Sequence, residues 1–200
     1  MVDKNFCLEE IRKEILTRRN FPLRKTAKNL VFGKGNSAAE IFFIGEAPGK
    51  QEDAQGIPFV GAAGKQLDTL LHSIDLKLDD IYVANILKYR PPENRNPNPL
   101  EIKTHTPFLV QQICIIQPKI VVTLGNFATK FILAGMDPGK MDAIPGISQL
   151  HGKPREIKFD QRSFTVIPLY HPAAMLYNGG LRKAMQKDFQ VIKKYLNGQQ

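Results

Sequence analysis

Four apolar residues, Ile41-Phe42-Phe43-Ile44, stop abruptly at Gly45-Glu46-Ala47-Pro48-Gly49, and Lys50-Gln51-Glu52-Asp53 follow. A run this apolar reads as a buried strand, and the glycine-proline turn directly after it fixes where the strand ends. Such a turn leaves backbone N–H groups and a few side chains at the carboxyl edge of a sheet, where open α/β folds bind their ligands. The run Lys119-Ile120-Val121-Val122-Thr123-Leu124-Gly125 repeats the form as a continuous apolar stretch of the parallel-sheet type. Late in the chain, Leu169-Tyr170-His171-Pro172-Ala173-Ala174 again takes a strand into a turn, here a His-Pro turn.

Between these runs the spacing of apolar residues becomes helical. Leu8, Ile11, Ile15 and Leu16 share a face within residues 8–19, and Leu67, Leu70, Leu71 and Ile74 do so within 62–74. Residues 99–117 and 126–134 read as helices, as do 173–177 and 181–196, with Pro99 suited to a helix start. Strands are expected at 40–44, 80–86, 119–125 and 163–169, the last as the second arm of a hairpin that turns at Asp160-Gln161-Arg162. Four prolines and three asparagines make residues 90–99 a long non-helical loop. Strands alternating with helices imply an α/β fold: a three-layer α/β/α sandwich with a central four-stranded, mostly parallel sheet. No repeat, low-complexity tract or linker interrupts the chain, so one domain is expected over residues 1–200, with 1–36 an N-terminal helix and a basic, irregular lead-in.

Charge narrows the partners. The formal net charge is +9 and the sequence pI near 9.6, an excess that favours polyanions because each neutralised phosphate releases counterions. No apolar run has the length of a membrane span, and the N-terminus lacks the layout of a signal peptide. The two cysteines, Cys7 and Cys114, are too few for a disulfide scaffold or a cysteine-rich metal site, which points to the cytoplasm. Cys114, inside Ile113-Cys114-Ile115-Ile116, reads as a small core residue.

The GEAPG turn, Pro58-Phe59-Val60-Gly61 and the HPAA turn together resemble the uracil-DNA glycosylase superfamily, most closely its family-four branch. The resemblance spans residues 29–196, with several separated motifs in the same order. It implies a monofunctional glycosylase that hydrolyses the N-glycosidic bond of a flipped-out deoxyuridine and so starts base excision repair. The expected partner is uracil-containing DNA, single- or double-stranded, with the protein a monomer and no membrane involved. Breaking the bond between base N1 and sugar C1′ gives the sugar oxocarbenium character and the base negative charge, after the nucleotide has left its stack.

The resemblance assigns a residue to each task. Phe59 is the platform on which the flipped base stacks. Asn85, at a strand end, would accept from uracil N3–H and donate to O4, a pattern cytosine reverses. His171 would donate to uracil O2 as charge grows there. Gly45, Glu46 and Ala47 hold the base and its leaving oxygen, with Glu46 the carboxylate nearest the water. Family-one enzymes carry an Asp where this chain has Ala47, which shifts the weight for Glu46 from base catalysis towards electrostatic support. Gln51 falls where the family places a side chain near uracil C5, and Glu52 and Asp53 read as turn caps. Ala173, Met175 and Leu176 match the loop that fills the vacated stack, and Arg182 and Lys183 would grip phosphates.

In one respect the chain departs from the branch. Family-four enzymes usually hold a four-iron four-sulfur cluster on four cysteines, and the matching positions here are Arg18, Phe21, Tyr89 and His105. Clusters need thiolates, so the expectation is no iron–sulfur cluster, no metal and no cofactor, with these side chains packing into the space. A related branch traps uracil DNA through a histidine in the loop after the second strand. Residues 90–97 contain none, so turnover is expected. Two other readings stay open: a DNA-binding module of the same fold with weak catalysis, and a hydrolase of small nucleosides, which the basic charge disfavours.

Overall fold

The computed structural model describes residues 3–198. Six strands form one sheet: β1 (Lys34–Gly35), β2 (Ile41–Gly45), β3 (Ile81–Asn85), β4 (Ile120–Leu124), β5 (Arg155–Phe159) and β6 (Arg162–Leu169). Their order is β1-β3-β2-β4-β6-β5. The four inner strands are parallel, and the outer two pair antiparallel with their neighbours. The expected four-stranded sheet is therefore the parallel centre of a six-stranded one. The sequence reading passed over β1, whose two residues are too short for any period, and left β5 uncounted as a mere hairpin arm.

Side chains alternate across the sheet and build two cores. Phe42 and Ile44 face one side with Tyr82, Ala84 and Val121, against α1 (Lys4–Thr17), α4 (Pro99–Ile116) and α5 (Asn126–Leu133). Ile41 and Phe43 face the other side with Ile81, Val83 and Val122, against α3 (Ala62–His72) and α8 (Leu181–Leu196). Short helices α2 (Lys50–Gln55), α6 (Ile147–Leu150) and α7 (Ala174–Tyr177) sit in the connections. Because both faces are covered, β2, β3 and β4 are buried along their whole length. Helix α4 starts on a reciprocal cap: Asn98 Oδ1 accepts from Glu101 N–H at 2.8 Å while Glu101 accepts from Asn98 N–H at 3.0 Å.

The assignment of Cys114 to the core is corrected. Cys114 is exposed on α4, while Ile113 and Ile116 of the same run are buried. A continuous apolar run in a helix turns through the full circle, so one member must face out. Among the described residues no helix is long and apolar enough to cross a membrane.

Candidate active site

The carboxyl ends of the parallel strands converge on a cavity of about 310 Å³ lined by Glu46, Phe59, Asn85 and His171, with Pro91 and Arg95 on the opposite lip. Gly45 and Asn85 are register partners at the ends of β2 and β3. A Cβ on Gly45 would lie 2.4 Å from Asn85 Oδ1 and 2.7 Å from Phe59 Cζ, so only glycine lets both side chains reach the same floor. The backbone after Asn85 keeps tracking the first motif: Ile86 N–H donates to Gly45 O and Leu87 N–H to Glu46 O, each at 3.0 Å.

Phe59 takes a left-handed backbone conformation (φ 52°), and α3 starts directly against it, a Cβ on Gly64 being only 2.1 Å from the Phe59 carbonyl oxygen. Its ring lies 6.1 Å from that of His171, centroid to centroid, and 28° from parallel, so the two form one aromatic wall. Glu52 fixes this arrangement. Its carboxylate accepts from Val60 N–H at 3.0 Å, Gly61 N–H at 2.7 Å and Gly49 N–H at 3.2 Å. Asp53 accepts from Lys28 N–H and Asn29 N–H and anchors the lead-in. Glu52 thus caps the following turn, as expected, whereas Asp53 reaches back to the lead-in instead of capping that turn.

His171 carries a specific tautomer. Its Nδ1 accepts from Ala173 N–H at 3.2 Å, so the neutral ring bears its proton on Nε2. Burial holds the imidazole down to about 4, so near neutral pH the ring is uncharged and Nε2–H is a free donor. Asn85 is only 2% exposed, yet its carboxamide makes no hydrogen bond among the described residues. Buried amides are normally paired, so an unpaired one at a pocket floor is set up for an incoming edge. Glu46 is half-buried, its carboxylate has no hydrogen-bond partner among the described residues, and burial raises its pKa above the usual carboxylate range.

Other proposed positions are less central. Gln51 is exposed on α2 and absent from the cavity lining, because the helix turns its side chain outward and brings Glu52 in instead. Ala47 and Ala173 line the cavity. Met175 packs against the core, whereas Leu176 is 46% exposed and Tyr177, not singled out from sequence, is 89% exposed. Arg182 and Lys183 are exposed at the start of α8. Arg95 was also missed. It reaches the lip held by Glu101, with Nη1 to Oε2 at 2.9 Å and Nη2 to Oε1 at 2.6 Å. The reciprocal cap motif Asn98-Pro99-Leu100-Glu101 was the available signal, since it fixes the acid that Arg95 meets.

Behind the pocket, Phe21, Tyr89 and His105 come together. Phe21 lies 4.4 Å from the His105 ring and 5.9 Å from that of Tyr89, and Arg18 sits over Phe108 with its guanidinium carbon 4.9 Å from the ring centre. His105 accepts at Nδ1 from Lys88 N–H and donates from Nε2 to Pro22 O. No thiolate is offered and both imidazole nitrogens are engaged, so these residues do not fit a four-iron cluster.

Comparison with known proteins agrees with this geometry. The family model described as the uracil DNA glycosylase superfamily matches residues 32–197. The type-4 uracil-DNA glycosylase of Archaeoglobus fulgidus is 45% identical over 185 residues, covering 92% of this chain and 91% of that protein. That of Sulfurisphaera tokodaii is 43% identical, covering 94% and 84%. The Saccharolobus solfataricus protein of the same description is 42% identical, covering 95% and 87%. With a match over most of its length and the motif residues gathered at one sheet edge, the chain belongs to the uracil DNA glycosylase superfamily.

Proposed function

We propose that this chain is a monofunctional uracil-DNA glycosylase, hydrolysing the bond between uracil N1 and deoxyribose C1′ to begin base excision repair. The observation that carries the reading is the convergence of an unpaired carboxamide (Asn85), a neutral imidazole with a free Nε2–H (His171) and an aromatic platform (Phe59) on one small cavity. The relatives described as type-4 uracil-DNA glycosylases support the same substrate.

In this reading the flipped uracil stacks on Phe59 while Asn85 accepts from N3–H and donates to O4. As the N1–C1′ bond stretches, negative charge moves towards O2, where His171 Nε2–H donates a hydrogen bond that strengthens in the transition state. A neutral donor suits this task, since it supports the leaving anion without giving up its proton. Glu46 faces the sugar side, where its carboxylate stabilises the oxocarbenium and orients the water that adds to C1′. The exposed Leu176 and Tyr177 provide the apolar wedge for the vacated stack, and Arg182 and Lys183 take neighbouring phosphates. The protein works as a single domain and a monomer in the cytoplasm, on single- or double-stranded DNA, with no iron–sulfur cluster, metal or other cofactor.

The test is a gel assay for alkali-labile sites in a uracil-containing oligonucleotide. Cleavage that depends on uracil and is abolished with thymine in its place supports the reading. Tight DNA binding with no alkali-labile product would leave a DNA-binding module instead.

A further inference from the structure

Lys88 is fully buried, three residues past Asn85, and no carboxylate contacts it among the described residues. Its ammonium points inward to three neutral oxygens: Gln112 Oε1 at 2.6 Å, Asn85 O at 2.9 Å and Phe32 O at 3.4 Å. Three protons meet three acceptors, so the charged form is matched, and a neutral amine would leave one acceptor bare. Gln112 is itself held, donating from Nε2 to Phe32 O at 3.2 Å and to Tyr82 Oη at 3.4 Å.

For stability alone this is a poor choice. A buried charge without a counter-charge carries a large desolvation cost. Burial pulls the Lys88 ammonium down to about 7. What the arrangement achieves is local. Asn85 closes β3, and its carboxamide has no hydrogen bond of its own, so the main chain that carries it sets its direction. Lys88 clamps that backbone by its carbonyl oxygen and ties it through Gln112 to α4 and through Phe32 to the lead-in.

We propose that Lys88 is a positioning residue for base recognition, its ammonium holding the main chain of Asn85 so that the carboxamide meets the uracil edge in one orientation. The inference rests on the glycosylase reading above. It adds a residue that touches no substrate and acts only through Asn85.

The experiment compares wild type with Lys88→Met and Lys88→Gln in the full chain. Three quantities are read: the single-turnover excision rate at saturating protein, the affinity for abasic product DNA, and the melting temperature. Lys88→Met leaves Gln112 Oε1 and Asn85 O without a donor, so its melting temperature falls. At temperatures where it is folded it should excise uracil at least roughly tenfold more slowly, with abasic-DNA affinity unchanged. A residue serving only packing would lower the melting temperature with a wild-type rate at temperatures where the variant is folded, and that result overturns the inference. If Lys88→Met does not fold, Lys88→Leu is judged by the same rate criterion, and Lys88→Gln, which keeps a donor for Asn85 O, should retain more of the rate than either apolar variant. Wild-type protein that fails to excise uracil overturns the reading on which the inference stands. Wild-type excision alongside an equally fast folded variant overturns the Lys88 inference alone.

Discussion

His105 bonds the segment that follows β3 and His171 lines the cavity at the strand ends, and burial holds both imidazoles down to about 4. Their partners separate them. His105 uses both ring nitrogens, one for Lys88 N–H and one for Pro22 O, inside a packed cluster with Phe21 and Tyr89. His171 uses one, for Ala173 N–H, and turns the other towards the cavity. A buried polar group with every valence filled holds the fold together. One left with an open donor has its last partner still to come. The same contrast divides Gln112, fully engaged, from Asn85, whose carboxamide is free.

The strongest way to break this contrast is His171→Ala. Single-turnover excision should fall by roughly 10²–10³ while the affinity for abasic DNA and the melting temperature stay near wild type. Wild-type rates at saturation would reduce the HPAA turn to a structural corner. His105→Leu should do the opposite. It leaves the Lys88 N–H and the Pro22 carbonyl unpaired, which costs about 3 kcal/mol in denaturant unfolding, and excision should fall far less than with His171→Ala.

Titration sharpens the comparison next. The folded-state pKa of His105 is lowered from 6.5 to about 4, so the unfolded chain binds more protons throughout that window. Stability therefore rises with pH between these values and is lost as pH falls below 6.5. Acidification from pH 6.5 to 5 should cost about 2 kcal/mol from this group, and His105→Leu should flatten that slope. The His171 ring, also held down to about 4, adds a slope of the same sign, so His105→Leu should reduce the slope without abolishing it. The smallest expected effect is that of Lys183→Ala. It should weaken DNA binding and reduce the salt slope by about one phosphate contact, leaving the saturated rate intact. An unchanged salt dependence would remove Lys183 from the DNA face.

Sequence was most legible where one residue type had one physical use. Apolar runs ending in glycine turns located β2 and β4, and Asn85 and His171 follow the ends of parallel strands, while their grouping with Phe59 came from the motif resemblance. Legibility failed where context reversed a residue's usual place. Lys88 is a lysine, which composition assigns to the surface, and nothing in its neighbours announces three buried carbonyl acceptors. Gln51 and Glu52 are adjacent, and which of them faces the pocket depends on the phase of a six-residue helix. Tyr177 ends the helical stretch 173–177, but a four-residue helix has too few turns to set a buried face, and its ring stays exposed.

The carboxylate of Glu52 joins the turn at Gly49 to the turn at Val60 and Gly61 with three hydrogen bonds. These two turns flank the base platform, and the carboxylate ties them to each other rather than leaving them as separate flaps. A receptacle tied together in this way is formed before the base arrives. For a glycosylase built this way, the tempo of each encounter lies in the nucleic acid, in how often a nucleotide swings clear of its neighbours. A weakly stacked or mispaired uracil then reaches the pocket sooner than a well-paired one, and selectivity begins in the DNA before any side chain reads the base.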